Sequence, residues 1–287
     1  MNVQTVRDAW DFYKNSILSS CNSKKSTLIS DESRWKCHIN PILGNKRIDM
    51  LTKADYLLLR KSIENKKLSP QTVHHIISLL RRILNASVEW EVYNGKDFPN
   101  FQKIFPKFDN MRQRFLSHEE TLKLLSFLEP HEEWHDIAML SLNTGLRLGE
   151  IFKISISDVN FYERLLTVID TKSGKNRVIL LNCAAFSILS KKIKSNNVDT
   201  FLFRKCSPKT FSRIVAESGL NDGVTDRIHK VVFHTLRHTF ASWLIQKGVA
   251  LEVVSKLLGH TSLQMTMRYA HLDPVKQSMK AVMSIEL

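Results

Sequence analysis

Cysteine is scarce: Cys21, Cys37, Cys183 and Cys206 are the only four in 287 residues, and no two are spaced as CxxC. That pattern supports neither a zinc ribbon nor a disulfide framework, and a reducing cytoplasm is the expected compartment. Long apolar runs are also missing. No stretch reaches about 18 apolar residues, so no membrane span is expected. The first residues, MNVQTVRDAWDFYKN, lack an apolar signal core. Internal repeats and low-complexity segments are absent. Acidic residues are few relative to basic ones, 28 Asp and Glu against 42 Lys and Arg, which leaves a formal net charge of +14. Residues 1–100 carry 16 Lys and Arg against 10 Asp and Glu, and the remainder 26 against 18, so the surplus is not one detachable tail. Such a surplus favours a polyanionic partner, nucleic acid ahead of an acidic membrane. Hydrophobic residues make up 43 %, enough for a real core and against wholesale disorder.

The first 93 residues read as helices. In LTKADYLLLRKSIENK, Thr52 is a candidate N-cap. In LSPQTVHHIISLLRRILNASVEW, Ser69 is the N-cap and Pro70 the first helical residue. His74, Arg81 and Arg82 lie among the polar residues of that helix, a face equally suited to DNA and to solvent. Residues 94–114 break the helical pattern with Gly95, Pro99 and Pro106 and read as a linker. A helix restarts at LSHEETLKLLSFL, where Ser117 and Glu120 form a capping box. HDIAMLSLNTG continues helically to Gly145. RLLTVIDTKSGKNRVILL, residues 164–181, changes period and predicts a β-hairpin. Further helices are expected around 184–195, 207–217, 236–247 and 251–258. The expected fold class is mainly α with a small β-sheet, with a helical domain over 1–93 and an α+β domain over 115–287. The tail from about 274 carries a further apolar stripe at helical spacing, Val275, Met279, Val282 and Met283.

One short motif misleads. HEEWH, residues 131–135, matches the H-E-x-x-H pattern of zinc proteases. Pro130 puts it at a helix start, however, and no third ligand with a convincing context follows, so no metal and no other cofactor is expected. The stronger constellation is dispersed. NTGLRLGEI supplies Arg147, DTKSGKNR supplies Lys172, HTLRH supplies His234 and Arg237, LLGH supplies His260 and MRYAHL supplies Tyr269. Each alone has an ordinary explanation. Together they are equipment for phosphoryl transfer. Two guanidinium forks can hold phosphate oxygens and neutralise the charge of a five-coordinate transition state. A tyrosine oxygen ionises more readily than an alcohol, and a cationic pocket is expected to depress its pKa further. A lysine can protonate a departing sugar oxygen. Glu150 is expected to support Arg147, and His238 to pack or hydrogen-bond rather than catalyse. Lys175 and Arg177, past the hairpin turn, are candidate phosphate contacts, and Lys175 is the alternative to Lys172 as general acid.

TGLRLGE, TKSGKNR, HTLRHTFASWLIQKG and LLGHTSLQMTMRYAHL resemble the catalytic domain of the tyrosine recombinases, the phage integrase family, over residues 115–273. Residues 1–93 resemble, more loosely, the core-binding domain of that family. The resemblance implies two catalytic arginines at Arg147 and Arg237, the hairpin lysine at Lys172, two histidines at His234 and His260, and the nucleophile at Tyr269. It implies cleavage and rejoining of double-stranded DNA target sites through a 3′-phosphotyrosine, without ATP. A protein monomeric when free and tetrameric in the synaptic complex is expected, cytoplasmic and nucleoid-associated when bound, with DNA-bending accessory proteins as possible partners. Phage or prophage integration and excision is the leading expectation. A Xer-like dimer-resolution enzyme or an invertase is the alternative within the family, and a type IB topoisomerase lies further off.

Overall fold

The computed structural model of the chain describes residues 4–19, 25–108, 114–169, 176–195, 201–272, 279 and 282–285. The chain divides into two compact units, residues 1–110 and 111–287.

The first unit is helical, with α1 (Val6–Ser19), α2 (Lys25–Arg34), a π-helical turn (Trp35–Ile39), α3 (Asn40–Leu43), α4 (Lys53–Asn65) and α5 (Pro70–Glu89). The expected caps are present. Ser69 Oγ accepts the Thr72 amide at 3.3 Å, with Pro70 opening α5. The Asp55 carboxylate accepts the Thr52 amide at 2.8 Å and so fixes the start of α4. A cap contributes about 1 kcal/mol. Val73, Ile76, Ile77, Leu80, Ile83 and Leu84 of α5 are all buried, and each such side chain contributes about 1.5–3 kcal/mol. The cap therefore sets where α5 begins, and the apolar face holds it in place. Trp10 of α1 stacks on Trp35, ring centroids 5.1 Å apart.

The stretch expected to be a linker is mostly part of this unit. Phe101 stacks on Tyr56 at 4.3 Å, Tyr93 stacks on Phe98 at 4.9 Å, and Ile104 is buried. Gly and Pro break the helix there as read, but the aromatic residues between them bring the chain back onto the core.

The second unit contains α6 (His118–Leu128), α7 (Glu132–Thr144), α8 (Leu148–Ile151), a three-stranded sheet, α9 (Cys183–Ser195), α10 (Pro208–Glu217), α11 (Phe233–Gln246) and α12 (Leu251–Leu258). Two short 3-10 turns follow, Leu263–Met265 and Met267–Leu272. Ser117 and Glu120 form the expected capping box, each accepting the other's amide at 3.1 and 2.9 Å. The sheet order is β1 (Val159–Asn160), β2 (Leu165–Val168), β3 (Arg177–Leu180), all antiparallel. Leu166 and Ile179 pair and face the core, whereas Val178 and Leu180 are exposed. The turn of the predicted hairpin, with Lys172 and Lys175, lies outside the described residues. Helix α11 packs against α7, α12 and the 3-10 turn Met267–Leu272.

Two other stretches singled out in the sequence have these surroundings. Glu132 of the HEEWH segment pairs with Lys191 at 2.6 Å, and Glu133 with Lys192 at 2.6 Å, so these carboxylates join α7 to α9. The described apolar residues of the tail, Met279, Val282, Met283 and Ile285, are exposed. No helix among the described residues is long and apolar enough to cross a membrane.

Candidate active site

The site grows from the ends of two helices. Helices α7 and α12 both finish on a glycine in the left-handed region, Gly145 at φ +69° and Gly259 at φ +64°. A Cβ on Gly145 would lie 2.6 Å from the Phe240 ring, and one on Gly259 2.7 Å from Cδ of Arg177. The last carbonyls of a helix have no partner within it and carry its negative dipole end. Arg237 of α11 takes up one from each end. Its Nη1 donates to the Gly145 carbonyl at 2.7 Å and its Nη2 to the Leu258 carbonyl at 2.6 Å. A guanidinium only 2 % exposed is thus bound on two sides by helix C-termini. Burial, with the positive charge of Arg147 next, pulls its pKa down to about 9, although Glu150 opposes this.

Glu150 is the centre of the arginine cluster. Its carboxylate accepts the backbone amide of Arg147 at 2.8 Å and Arg147 Nη1 at 2.7 Å. It also accepts both terminal nitrogens of Arg177, at 3.1 and 2.8 Å, and stands 3.9 Å from Arg237 Nη1. Burial works to raise its pKa, but the hydrogen bonds and charge of Arg177, with those of Arg147, outweigh burial and hold the carboxyl below its ordinary value. The expected supporting role of Glu150 is therefore what the structure shows. Arg177, the candidate phosphate contact past the turn, places both terminal nitrogens on Glu150 and has a side chain 11 % exposed. Arg147 keeps 35 % of its side chain open to solvent, so it is the arginine of this cluster most accessible to a ligand.

His260 follows the Gly259 cap, with Nδ1 2.7 Å from Thr266 Oγ1. Burial, then the charges of Arg237, Arg147, Arg268 and His234, drive its pKa down to about 3, so its imidazole is neutral. His234 is exposed near the start of α11, its ring edge-on to that of His238 at 4.7 Å. Tyr269 lies on the 3-10 turn, buried in a small cluster with Ala241, Ile245, Val254 and Leu258. Its hydroxyl is 2.5 Å from His238 Nδ1. Burial pushes its pKa up to about 12 against the pull of Arg268 and Arg237. The sequence reading expected a depressed value. Two nearby cations do not compensate for a phenol removed from water.

The structure brings Arg147, Arg237, His234, His260 and Tyr269 into one region. Lys172 is outside the described residues. The first-unit candidates are all engaged locally. His74 packs on Phe105 at 4.7 Å, Arg81 lies over the same ring at 5.1 Å, and Arg82 binds Tyr13 Oη at 2.7 Å and Asp31 at 3.1 Å.

The sequence profile of the phage integrase family matches residues 114–276. A tyrosine recombinase of Pseudothermotoga lettingae is 32 % identical over 252 residues, covering 85 % of each chain. The chain belongs to the phage integrase family of tyrosine recombinases. These enzymes cleave and rejoin DNA. Tyrosine recombinase XerA of Pyrococcus furiosus is 33 % identical over 178 residues, which span 58 % of this chain and 60 % of that protein. The integrase of Salmonella phage P22 is 29 % identical over 69 % of this chain, a match that spans about half of the phage protein, 53 %. The fold agrees with the transposon Tn1549 integrase solved with circular-intermediate DNA, at a TM-score of 0.76 and 21 % identity over 97 % of this chain and 99 % of that one. A lambda integrase dimer on a core site gives 0.74 at 21 % identity, over 94 % of this chain and 97 % of that one.

His238 is buried and hydrogen-bonded as expected, but sequence reasoning missed that its partner is Tyr269, and it missed the Arg177–Glu150 fork. HTLRH held a signal for the first, since His238 stands one turn after His234 and directly after Arg237.

Proposed function

We propose that this protein is a site-specific DNA recombinase in which Tyr269 attacks the scissile phosphate to give a 3′-phosphotyrosine and a free 5′-hydroxyl. The observation that carries the reading is the excess of guanidinium charge around Glu150, in the same region as the buried tyrosine. Arg147 and Arg237 hold the phosphate oxygens and neutralise the charge that builds up at phosphorus. Neutral His260 donates a hydrogen bond to the same oxygens. Lys172 protonates the departing 5′-oxygen, with Lys175 as the alternative donor on that turn. The phosphodiester energy is kept in the tyrosine ester, so the 5′-hydroxyl of a partner strand reverses the step without ATP. The first unit supplies the second DNA-binding surface, with Arg81 and His74 of α5 as its candidate contacts.

The working form on DNA is a homotetramer that synapses two duplex sites, assembled from monomers, and the place of action is the cytoplasmic nucleoid. The exposed tail residues Met279, Val282, Met283 and Ile285 dock on a neighbouring subunit in that assembly. Phage or prophage integration and excision is the favoured role, supported by the integrase-like TKSGKNR and YAHLDP stretches. The Xer-like relatives keep dimer resolution as the alternative, and the host DNA junction beside the coding region distinguishes the two. The chemical test uses a nicked suicide substrate. Tyr269→Phe binds this DNA but forms no SDS-resistant adduct, whereas an adduct with the Phe variant refutes the assignment.

A further inference from the structure

We propose that His238 is the base that takes the phenolic proton of Tyr269 during cleavage and returns it during rejoining, a role that rests on Tyr269 being the nucleophile. The two side chains are both buried, 4 and 5 % exposed, and Nδ1 meets the hydroxyl at 2.5 Å. Their partnership is fixed by the fold. Helix α11 packs directly on the 3-10 turn that carries Tyr269, and His238 is the α11 residue that reaches its oxygen.

The neighbouring groups are committed elsewhere. Arg237 directs its two terminal nitrogens to helix-end carbonyls. Arg268 donates Nε to the Met265 carbonyl at 3.0 Å. His260 turns its Nδ1 to Thr266. His234 lies edge-on to the His238 ring. A phenol pushed up to about 12 remains protonated at neutral pH. Attack by a neutral phenol is weak, and an adjacent base is the ordinary way to activate a buried hydroxyl. An imidazole is such a base when the nitrogen facing the hydroxyl is unprotonated, which requires the Nε2–H tautomer.

The step balances. As Tyr269 Oη forms its bond to phosphorus, its O–H bond breaks and the proton passes to Nδ1, leaving an imidazolium. The 5′-oxygen departs with the electron pair of its P–O bond and takes a proton from the general acid. In rejoining, the incoming 5′-hydroxyl gives that proton back and bonds to phosphorus. The P–O bond to tyrosine breaks, and the imidazolium reprotonates the departing phenolate.

The test is single-turnover cleavage at saturating DNA with a nicked 5′-phosphorothiolate substrate, whose sulfur leaves without a proton. Wild-type protein must first form the adduct and Tyr269→Phe must not, which checks the nucleophile independently. His238→Asn places an amide where Nδ1 stands, so it preserves a hydrogen bond but cannot take the proton. It should slow adduct formation about 100-fold or more while DNA affinity is unchanged. Rejoining should slow by a similar factor. His238→Ala should lose activity likewise and regain part of it with added imidazole. Wild-type rates in His238→Asn would overturn the proposal and reduce the contact to a positioning hydrogen bond. A His238→Ala protein that binds DNA and stays inactive at every imidazole concentration would overturn it too. If the alanine variant does not fold, the asparagine variant decides.

Discussion

Removing the Glu150 carboxylate tests whether the arginine cluster is held together as described. Glu150→Ala deletes the acceptor for the Arg147 amide, Arg147 Nη1 and both terminal nitrogens of Arg177. Glu150 and Arg177 expose only about a tenth of their side chains. Loss of one partner from a pair this buried costs about 3–5 kcal/mol, because the remaining charge is left unsatisfied. Here three guanidiniums remain, and they repel one another. In a unit of this size about 1 kcal/mol shifts the melting midpoint by about 2–4 °C, so a fall of about 6–20 °C is expected. Scanning calorimetry of the full chain reads this directly. The loss should shrink in sulfate or phosphate, since an anion that binds only the folded form at about 100 times its Kd adds about 2.7 kcal/mol. The pH dependence has a definite sign. Arg177 and Arg147 hold the carboxyl below its ordinary value of 4.5. The stabilisation is therefore present above pH 4.5 and is lost as pH falls through the lower folded value. A Glu150→Ala midpoint within about 2 °C of wild type, less than 1 kcal/mol, would mean that the cluster is not under this strain.

Further expectations concern the lysines, His260 and the tail. With a 5′-phosphorothiolate substrate, Lys172→Ala should cleave at near wild-type rate while remaining slow on ordinary DNA; rescue of Lys175→Ala instead would reassign the general acid. His260, neutral down to about pH 3 in the free protein, should gain a proton beside a bound phosphate, so DNA affinity should rise as pH falls from 6.5 to 5. Calorimetry in buffers of different ionisation enthalpy should show proton uptake that His260→Gln reduces, and equal uptake in both proteins would contradict the assignment. Deleting residues 275–287 should leave single-site binding intact and reduce synapsis and strand exchange. Equal losses of thermal stability and single-site binding would instead show that the tail folds on its own unit.

Local signals were legible where one residue type has one dominant use. Ser69 with Pro70, Thr52, and Ser117 with Glu120 marked three helix starts, and all three helices begin where read, with Asp55 joining Thr52 at the second. The β-hairpin followed from its change of period. Strand β1 did not, because two residues are too few to show a period. The linker over 94–114 misled because Gly and Pro signal a break in the helix, not a break in the core. Tyr56 and Phe101 are 45 positions apart, and their stacking has no sequence signature. The same limit applies in the site. The positions of Arg147, Arg237, His260 and Tyr269 were visible as motifs. Whether a given arginine would face phosphate or carboxylate depended on the Arg177–Glu150 fork, which spans 27 residues. The sign of the Tyr269 shift depended on burial, which the neighbouring basic residues obscured.

The charge balance of the site bears on what it binds best. Arg147, Arg177 and Arg237 carry three positive charges around the single carboxylate of Glu150, which leaves two. The helix ends at Gly145 and Leu258 orient Arg237 and stabilise its charge through dipoles, without cancelling it. A DNA phosphodiester carries one negative charge. The five-coordinate phosphorus formed by tyrosine attack carries close to two. A rigid pocket with two uncompensated charges is therefore matched more closely to the transition state than to the bound substrate, and that difference is what accelerates a reaction. Tyr269, the proposed nucleophile, has the opposite character: neutral, buried and hydrogen-bonded. As its proton passes to His238 in the proposed step, phosphorus gains its second negative charge and the imidazolium one positive charge. Glu150 limits the charge that Arg237 must tolerate while buried, and Gly259 gives Arg177 room to reach Glu150. A side chain at Gly259 would thus disturb the arginine cluster through Arg177.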